Sequence, residues 1–273
     1  SPSSGTLDPT QFHHYFNEFY LNEQEMLGSA PPVPWDWFEY NIPLLDVPDK
    51  EIEKIYYFRW YSFQKHIRQT PDGPIIDEFL DDVPWAGKFN SINMAAEFHI
   101  REARWLRDRE YVKSDVRFWN GPDGEPRRYS LALADAVHEE YLVEGDREFT
   151  IQFLHSLQAN FESWEKTHED SNGLFWQIDD LDGMEDSIGG SGYRPTINSY
   201  MYGDAIAIAN IAELVGETGI AKRYRDKAAI IREHIENRLW NPDAKFYETV
   251  TRTANSGWAN VRELIGYVPW YFQ

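Results

Sequence analysis

Apolar residues recur along this chain mostly at the spacing of an α-helix. Between residues 9 and 27, Phe12, Tyr15, Phe16, Phe19 and Tyr20 share one face and predict a helix. Residues 31–48 are rich in proline and tryptophan and are expected to cross the fold without helix. A second helix is expected from Asp49, with Ile52, Ile55, Tyr56, Trp60, Phe63 and Ile67 in its stripe and Arg59 inside that stripe. A guanidinium buried there would need a core carboxylate or a polar cavity. Pro71-Asp-Gly predicts a turn, followed by an extended piece over residues 75–80. Helices are then predicted over residues 91–106, 111–119, 125–142 (Pro126 in the first turn), 147–168, 195–215 and 221–239, with a short strand at 246–250.

Two regularities organise these elements. Turns of similar character start at Leu106, Leu142 and Leu214, 36 and then 72 residues apart, which is one and two helix pairs. The helices also alternate in kind. Residues 195–215 are apolar nearly all round, whereas 221–239 carry one stripe (Tyr224, Ala228, Ile231, Ile235, Leu239) against a charged face. Buried helices alternating with surface helices describe two concentric rings. The expected fold is all-α: an (α/α)6 toroid of helical hairpins, with short β pieces in its loops. A plain helical solenoid would have shorter and more uniform loops than these. Residues 1–48 are expected to pack as a separate N-terminal segment on a toroid formed by 49–273. The chain stops on the apolar run Tyr267-Val-Pro-Trp-Tyr-Phe-Gln, so the toroid is expected to be incomplete, with about four hairpins present.

Composition changes this picture in three ways. A net charge of −20 argues against nucleic acid or an anionic membrane as partner. The absence of cysteine excludes disulfides and thiolate chemistry; it suits a cytosolic chain or a secreted or periplasmic one, the latter preferred. Aromatics reach 16%, with 11 Trp, enough to stack flat polar ligands as well as to fill a core. No apolar run approaches the roughly 20 residues that cross a bilayer. The histidines show no metal-ligand spacing, and nothing calls for a cofactor. Oligomeric state is not legible.

Candidate chemistry concentrates in residues 173–199. Five carboxylates (Asp179, Asp180, Asp182, Glu185, Asp186) lie there among five glycines, flanked by Trp176 and by Tyr193-Arg194. The stretch is too apolar for a solvated linker, and an ordered loop of this length is usually functional. Glycoside cleavage needs one carboxylic acid to protonate the departing oxygen and a second carboxylate to activate water or attack. Glu185 fits the acid best: Met184 is apolar, and like charge from Asp182 and Asp186 favours the protonated form. Helix capping or a calcium site is the competing role for these carboxylates, although the glycine spacing does not match an EF-hand. Trp35, Trp37, Trp85 and Trp176 fall in expected loops, where a ring face can stack on sugar C–H bonds. Arg59, Trp60, Lys88, Asn90, Arg127, Arg128, Tyr193 and Asn198 are candidates to shape the pocket and bond hydroxyls.

Asp182-Gly-Met-Glu-Asp-Ser resembles the Gly-Met-Asp-Asn-Ser type of motif in inverting (α/α)6-barrel glycosidases, the group of mannosylglycerate hydrolase, processing α-glucosidase and trehalase. Phe58-Arg-Trp, Pro84-Trp-Ala-Gly-Lys-Phe-Asn, Glu125-Pro-Arg-Arg-Tyr, Pro195-Thr-Ile-Asn and Phe246-Tyr-Glu resemble, in order, the segments that line such a barrel. The resemblance runs from about Asp49 onward. It implies an oligo- or polysaccharide substrate and places the general acid on Glu185. Two departures keep the assignment among Asp182, Glu185 and Asp186 open: the family has Asp where Glu185 stands, and Asp186 replaces an amide. The family's base lies late in the barrel, which would put it beyond Gln273. A polysaccharide lyase or sugar epimerase on the same toroid, and a non-catalytic carbohydrate-binding protein, are the alternatives.

Overall fold

The computed structural model describes residues 6–272; the outermost residues of the two expected units, 1–5 and 273, lie outside it. Helix α1 (His13–Leu27) packs on α3 (Lys50–Lys65), with α2 (Trp35–Asn41) between them in sequence. The Tyr15 hydroxyl donates to Glu53 at 2.8 Å, and Phe16 packs on Phe38 of α2. Helix α2 corrects the expectation of a non-helical crossing. Pro34 sits at the helix start, where its missing N–H costs nothing, and Asp36 lies in the first turn; Pro43 falls just past the end.

A hairpin follows, β1 (Ile67–Thr70) paired antiparallel with β2 (Gly73–Ile76). Ile67 therefore belongs to a strand rather than to the α3 stripe. Next come α4 (Ala96–Ala103), α5 (Glu110–Asn120), α6 (Leu133–Glu144), α7 (Arg147–Ile151), α8 (Leu154–His168), α9 (Pro195–Leu214) and α10 (Thr218–His234). The last turn before β3 (Trp240–Asn241) is a π-helix, Ile235–Leu239; β3 pairs with β4 (Phe246–Tyr247), and α11 (Val268–Tyr271) closes the described chain.

Three predicted helices are shorter than expected. Residues 125–132 are unwound because their backbone is bonded elsewhere: Tyr129 N–H donates to Asn93 and Ser130 N–H donates to the Leu181 carbonyl, both at 2.9 Å. Residues 91–92 are extended, and Asn93–Ala95 form a 3-10 lead-in to α4. The 147–168 helix breaks at Gln152–Phe153 into α7 and α8.

Helices α4, α6, α9 and α11 pack side by side as an inner layer, and α5, α8 and α10 stand outside it. The burial of α9 shows why its sequence is apolar all round: from Pro195 to Ala212 nearly every position is enclosed. Inner-to-outer connections are short, and Gly145 and Gly216 end α6 and α9 in the left-handed conformation (φ 72° and 76°) that glycine adopts freely. Outer-to-inner connections are long: residues 77–95, 121–132, 169–194 and 240–267. Since successive inner helices run the same way, all four long loops gather at one end of the ring. The molecule is an all-α, toroid-like domain.

Candidate active site

The loop before α9 is pinched off at its base. Gln177 and Gly192 exchange two backbone hydrogen bonds of 2.9 Å, and Tyr193 pairs with Val250 of the next loop at 2.9 and 3.0 Å. Gly192 has no room for a side chain, since a Cβ there would stand 2.4 Å from the Val250 carbonyl oxygen. Inside the lobe, Asp182 and Arg194 are both fully buried. The Arg194 guanidinium donates to Asp182 Oδ2 (2.5 Å), to Ser187 Oγ (2.8 Å), and to the carbonyls of Gly190 (2.6 Å) and Met184 (2.9 Å). Thr196 also donates to Asp182. From the fourth loop, Glu263 accepts the Gly189 N–H at 3.0 Å. One arginine thus grips the chain on both sides of residues 185–186 and leaves Glu185 and Asp186 turned outward.

The Glu185 charge is felt in two other loops. Burial first, and nearby Glu185 second, push the Tyr129 hydroxyl up from its ordinary value. The Glu78 carboxyl is pushed up by burial first and by the Glu185 charge second. A cleft of about 580 Å³ opens on the far side of the turn, lined by Met184, Ile188, Lys245, Phe246, Arg262 and Tyr267.

Beneath the lobe, the inner helices bring Glu97, Arg101, Asp135, Tyr200 and Asp204 together. Glu97 accepts the Ala132 N–H at 3.1 Å, and burial pushes its carboxyl up to about 7 despite Arg101. Asp204, fully enclosed, is raised well above the usual range by burial while it accepts the Asp135 N–H at the start of α6. Glu97 of α4 and Asp204, midway along α9, thus both hold the N-terminus of α6.

The other sequence candidates separate into two sets. Trp85 is exposed in the loop before α4, and its carbonyl accepts a bond from Arg128. Lys88 pairs with Asp123 at 2.6 Å, so that the loops before α4 and α6 form one wall, while Arg127 donates to Asn160 at 3.0 Å. Asn90, by contrast, is buried and holds its own loop, accepting from Val83 N–H at 2.8 Å. Asn198 clamps Phe175, accepting its N–H at 2.9 Å and donating to its carbonyl at 2.8 Å. Tyr193 is buried and donates to Asp170 at 2.8 Å. Trp176 has both ring faces covered, by the His168 ring at 4.6 Å and the Arg252 guanidinium at 4.0 Å.

Three expectations are corrected. Arg59 is not inside the buried stripe of α3: its side chain is 65% exposed and pairs with Glu102 at 3.0 Å, because Tyr57, Trp60 and Tyr61 take the inward face. Trp60 is a core residue packed edge-on against Phe63. Trp35 and Trp37 are not in a loop but on α2, where Trp35 stacks on His13 and Trp37 donates to the Tyr111 hydroxyl at 2.8 Å. Sequence reading missed Glu78 and Tyr129. Their signal was positional only: Glu78 lies in the extended piece after β2, and Tyr129 closes Glu125-Pro-Arg-Arg-Tyr.

Among known families, the model of the "Mannosylglycerate hydrolase MGH1-like glycoside hydrolase domain" matches residues 88–273. The chain belongs to this family. A solved structure described as a sialidase superposes with a TM-score of 0.90 at 42% identity, covering 97% of this chain and 25% of its own. The chain therefore spans about a quarter of the length of that relative. No curated protein shows a significant match.

Proposed function

We propose that this MGH1-like domain carries the general acid of an inverting glycoside hydrolase and that Glu185 is that acid. The observation that carries the reading is the Arg194-gripped turn, which presents an outward-facing Glu185 beside Glu78 and Tyr129 at the loop end of the ring. Asp182 is the weaker candidate, because its carboxylate is already committed to Arg194 and Thr196. Asp186 is the next, turned outward with φ 50°.

In this reading, protonated Glu185 gives its proton to the glycosidic oxygen as the C1–O bond breaks, and the bonding electron pair leaves on that oxygen as an alcohol. A water, deprotonated by a second carboxylate, adds to C1 from the opposite face. Inversion requires that base to stand roughly 6.5–9.5 Å from the acid, leaving space for the water. The motif resemblance puts it in a later part of the barrel than these residues. Trp85, Lys88, Arg127 and Arg128 line the wall along which an oligo- or polysaccharide would lie. The name of the similar structure makes sialosides one class to include among the substrates tried.

Glu185→Gln in the full-length protein tests the assignment. Turnover of a glycoside with a poor leaving group should fall about 10²–10⁴-fold. The anomer first released by the unaltered protein, followed by NMR, should be opposite to that of the substrate. Undiminished turnover removes Glu185 as the acid, and a retained anomer removes the inverting mechanism.

A further inference from the structure

The cleft beside the turn that bears Glu185 lies between two loops that are locked to each other. Met184 and Ile188 of the acidic loop form one wall, and residues 243–246 and 262–267 form the other. Glu263 joins them by accepting the Gly189 N–H at 3.0 Å, and Arg194 holds the Met184 carbonyl at 2.9 Å. The opposite wall is equally fixed. Gly266 lies so close to β4 that a Cβ there would stand 2.4 Å from the Tyr247 carbonyl oxygen. In the turn between β3 and β4, the Asn241 side chain accepts the N–H groups of Asp243 and Ala244 at 3.1 and 3.2 Å. A cleft of about 580 Å³ with walls braced in this way is preformed, and its size is that of a small-molecule site.

Its chemistry departs from the rest of the surface. In this chain of net charge −20, most lysines and arginines reach a carboxylate, as Lys88, Lys113 and Arg225 do. Lys245 does not: it is exposed at the cleft, and its ammonium group has neither hydrogen bond nor ion pair among the described residues. It also holds φ 52°, which is uncommon for a residue with a side chain. Arg262 donates only to the carbonyl of Ala244, the residue before Lys245, at 2.5 Å. Most of its donors therefore stay free, on backbone adjoining the lysine. Glu263 does not cancel these charges, because it is buried against Gly189. The overall charge repels an anion, but salt screens charges further off than about 8 Å. At the cleft itself Lys245 and Arg262 outnumber the one free carboxylate, Asp243. Tyr267, 58% exposed and packed against Phe246 at 5.0 Å, lines the same cleft with exposed Ile188 and Leu264. Together they offer an apolar surface to the C–H face of a pyranose.

We propose that this cleft is a subsite for an acidic sugar unit: a hexuronate whose carboxylate is held by Lys245 and Arg262 and whose ring lies against Tyr267. This names a substrate class for the site and rests on the glycosidase reading above. The guanidinium suits a carboxylate as a fork and the ammonium as a point charge. Since Met184 directly precedes Glu185, a saccharide seated here enters the site beside the acid.

The test is saturation-transfer NMR on the full-length protein with the methyl glycosides of glucuronic and galacturonic acid, each against its neutral counterpart from glucose or galactose. At least one uronide should bind, about tenfold more tightly than its neutral counterpart. Lys245→Gln combined with Arg262→Gln, both at exposed positions, should remove that preference and leave the melting temperature unchanged. Tyr267→Leu should weaken the acidic and the neutral glycosides alike. Binding of neither uronide, or a preference that the charge variants leave intact, overturns the proposal. Displacement by equimolar inorganic phosphate, with no effect of Tyr267→Leu, makes the cleft a bare anion site and overturns it too. The reading of Glu185 is judged separately: Glu185→Gln should bind the uronide as the unaltered protein does, and its loss of turnover stands or falls without the subsite.

Discussion

Arg194 and Asp182 form a fully buried ion pair of 2.5 Å under the turn that bears Glu185. Its strength lies less in the pair than in what the rest of the guanidinium does. Three further bonds, to Met184, Ser187 and Gly190, satisfy the donors and close the lobe. Removing one partner leaves an uncompensated buried charge, which costs on the order of 3–5 kcal/mol. Asp182→Asn and Arg194→Met should therefore each lower the urea midpoint strongly. The double variant should be less destabilised than the sum of the two. Additive losses in a double-mutant cycle would contradict the coupling.

The two tryptophans of the site region have opposite environments and should behave oppositely. Trp85 is 55% exposed, whereas Trp176 is sandwiched between His168 and Arg252. Trp85→Ala should raise KM for the preferred saccharide several-fold and leave the melting temperature nearly unchanged. Trp176→Ala should lower the melting temperature, because it strips a ring from between two partners and frees Arg252 from part of its packing. Steady-state kinetics and calorimetry on the same two preparations separate the effects.

On α3 the neighbours Arg59 and Trp60 make the same kind of contrast. Trp60 is 4% exposed in the core, and its replacement by Ala should cost roughly 3–5 kcal/mol. Arg59, paired in the open with Glu102, should cost less than about 1 kcal/mol when replaced by Ala. Chemical denaturation of the two variants measures both; a large loss at Arg59 would mean that the pair is doing more than its exposure allows.

These contrasts show where the sequence was legible. The inner helix α9 was readable because enclosure on all sides demands a continuous apolar surface, and the hairpin repeat because short turns recur at a fixed period. Arg59 was misread because a stripe of Ile52, Ile55, Tyr56, Trp60 and Phe63 spans nearly half the helix circumference. Periodicity alone does not say which edge of so wide a stripe faces inward. Helix α2 was missed because proline was taken as a breaker throughout, when Pro34 sits where a helix tolerates it. The acidic loop could be found by composition, but the division of labour among Asp182, Glu185 and Asp186 could not. That depends on Arg194, twelve positions beyond Asp182, curling back to take one carboxylate and leave the others out. Glu78 and Tyr129 reach Glu185 only through the closing of the ring, a long-range fact with no local signature.

The last expectation concerns stability and pH, away from the site. Asp115 on α5 is fully buried and accepts the Ile76 N–H, joining the helix to β2. Burial pushes its carboxyl up to about 7 from an ordinary 3.8. In the folded chain it keeps its proton where the unfolded chain has already lost it. The contribution to stability is therefore fully present below the ordinary value and is lost as pH rises towards about 7. Asp115→Asn keeps an acceptor for Ile76 and cannot ionise. Between pH 4 and 8 the variant should lose less stability than the unaltered chain, with a difference on the order of a few kcal/mol at the upper end. Parallel slopes of unfolding free energy against pH in the two proteins would show that Asp115 does not titrate in this window.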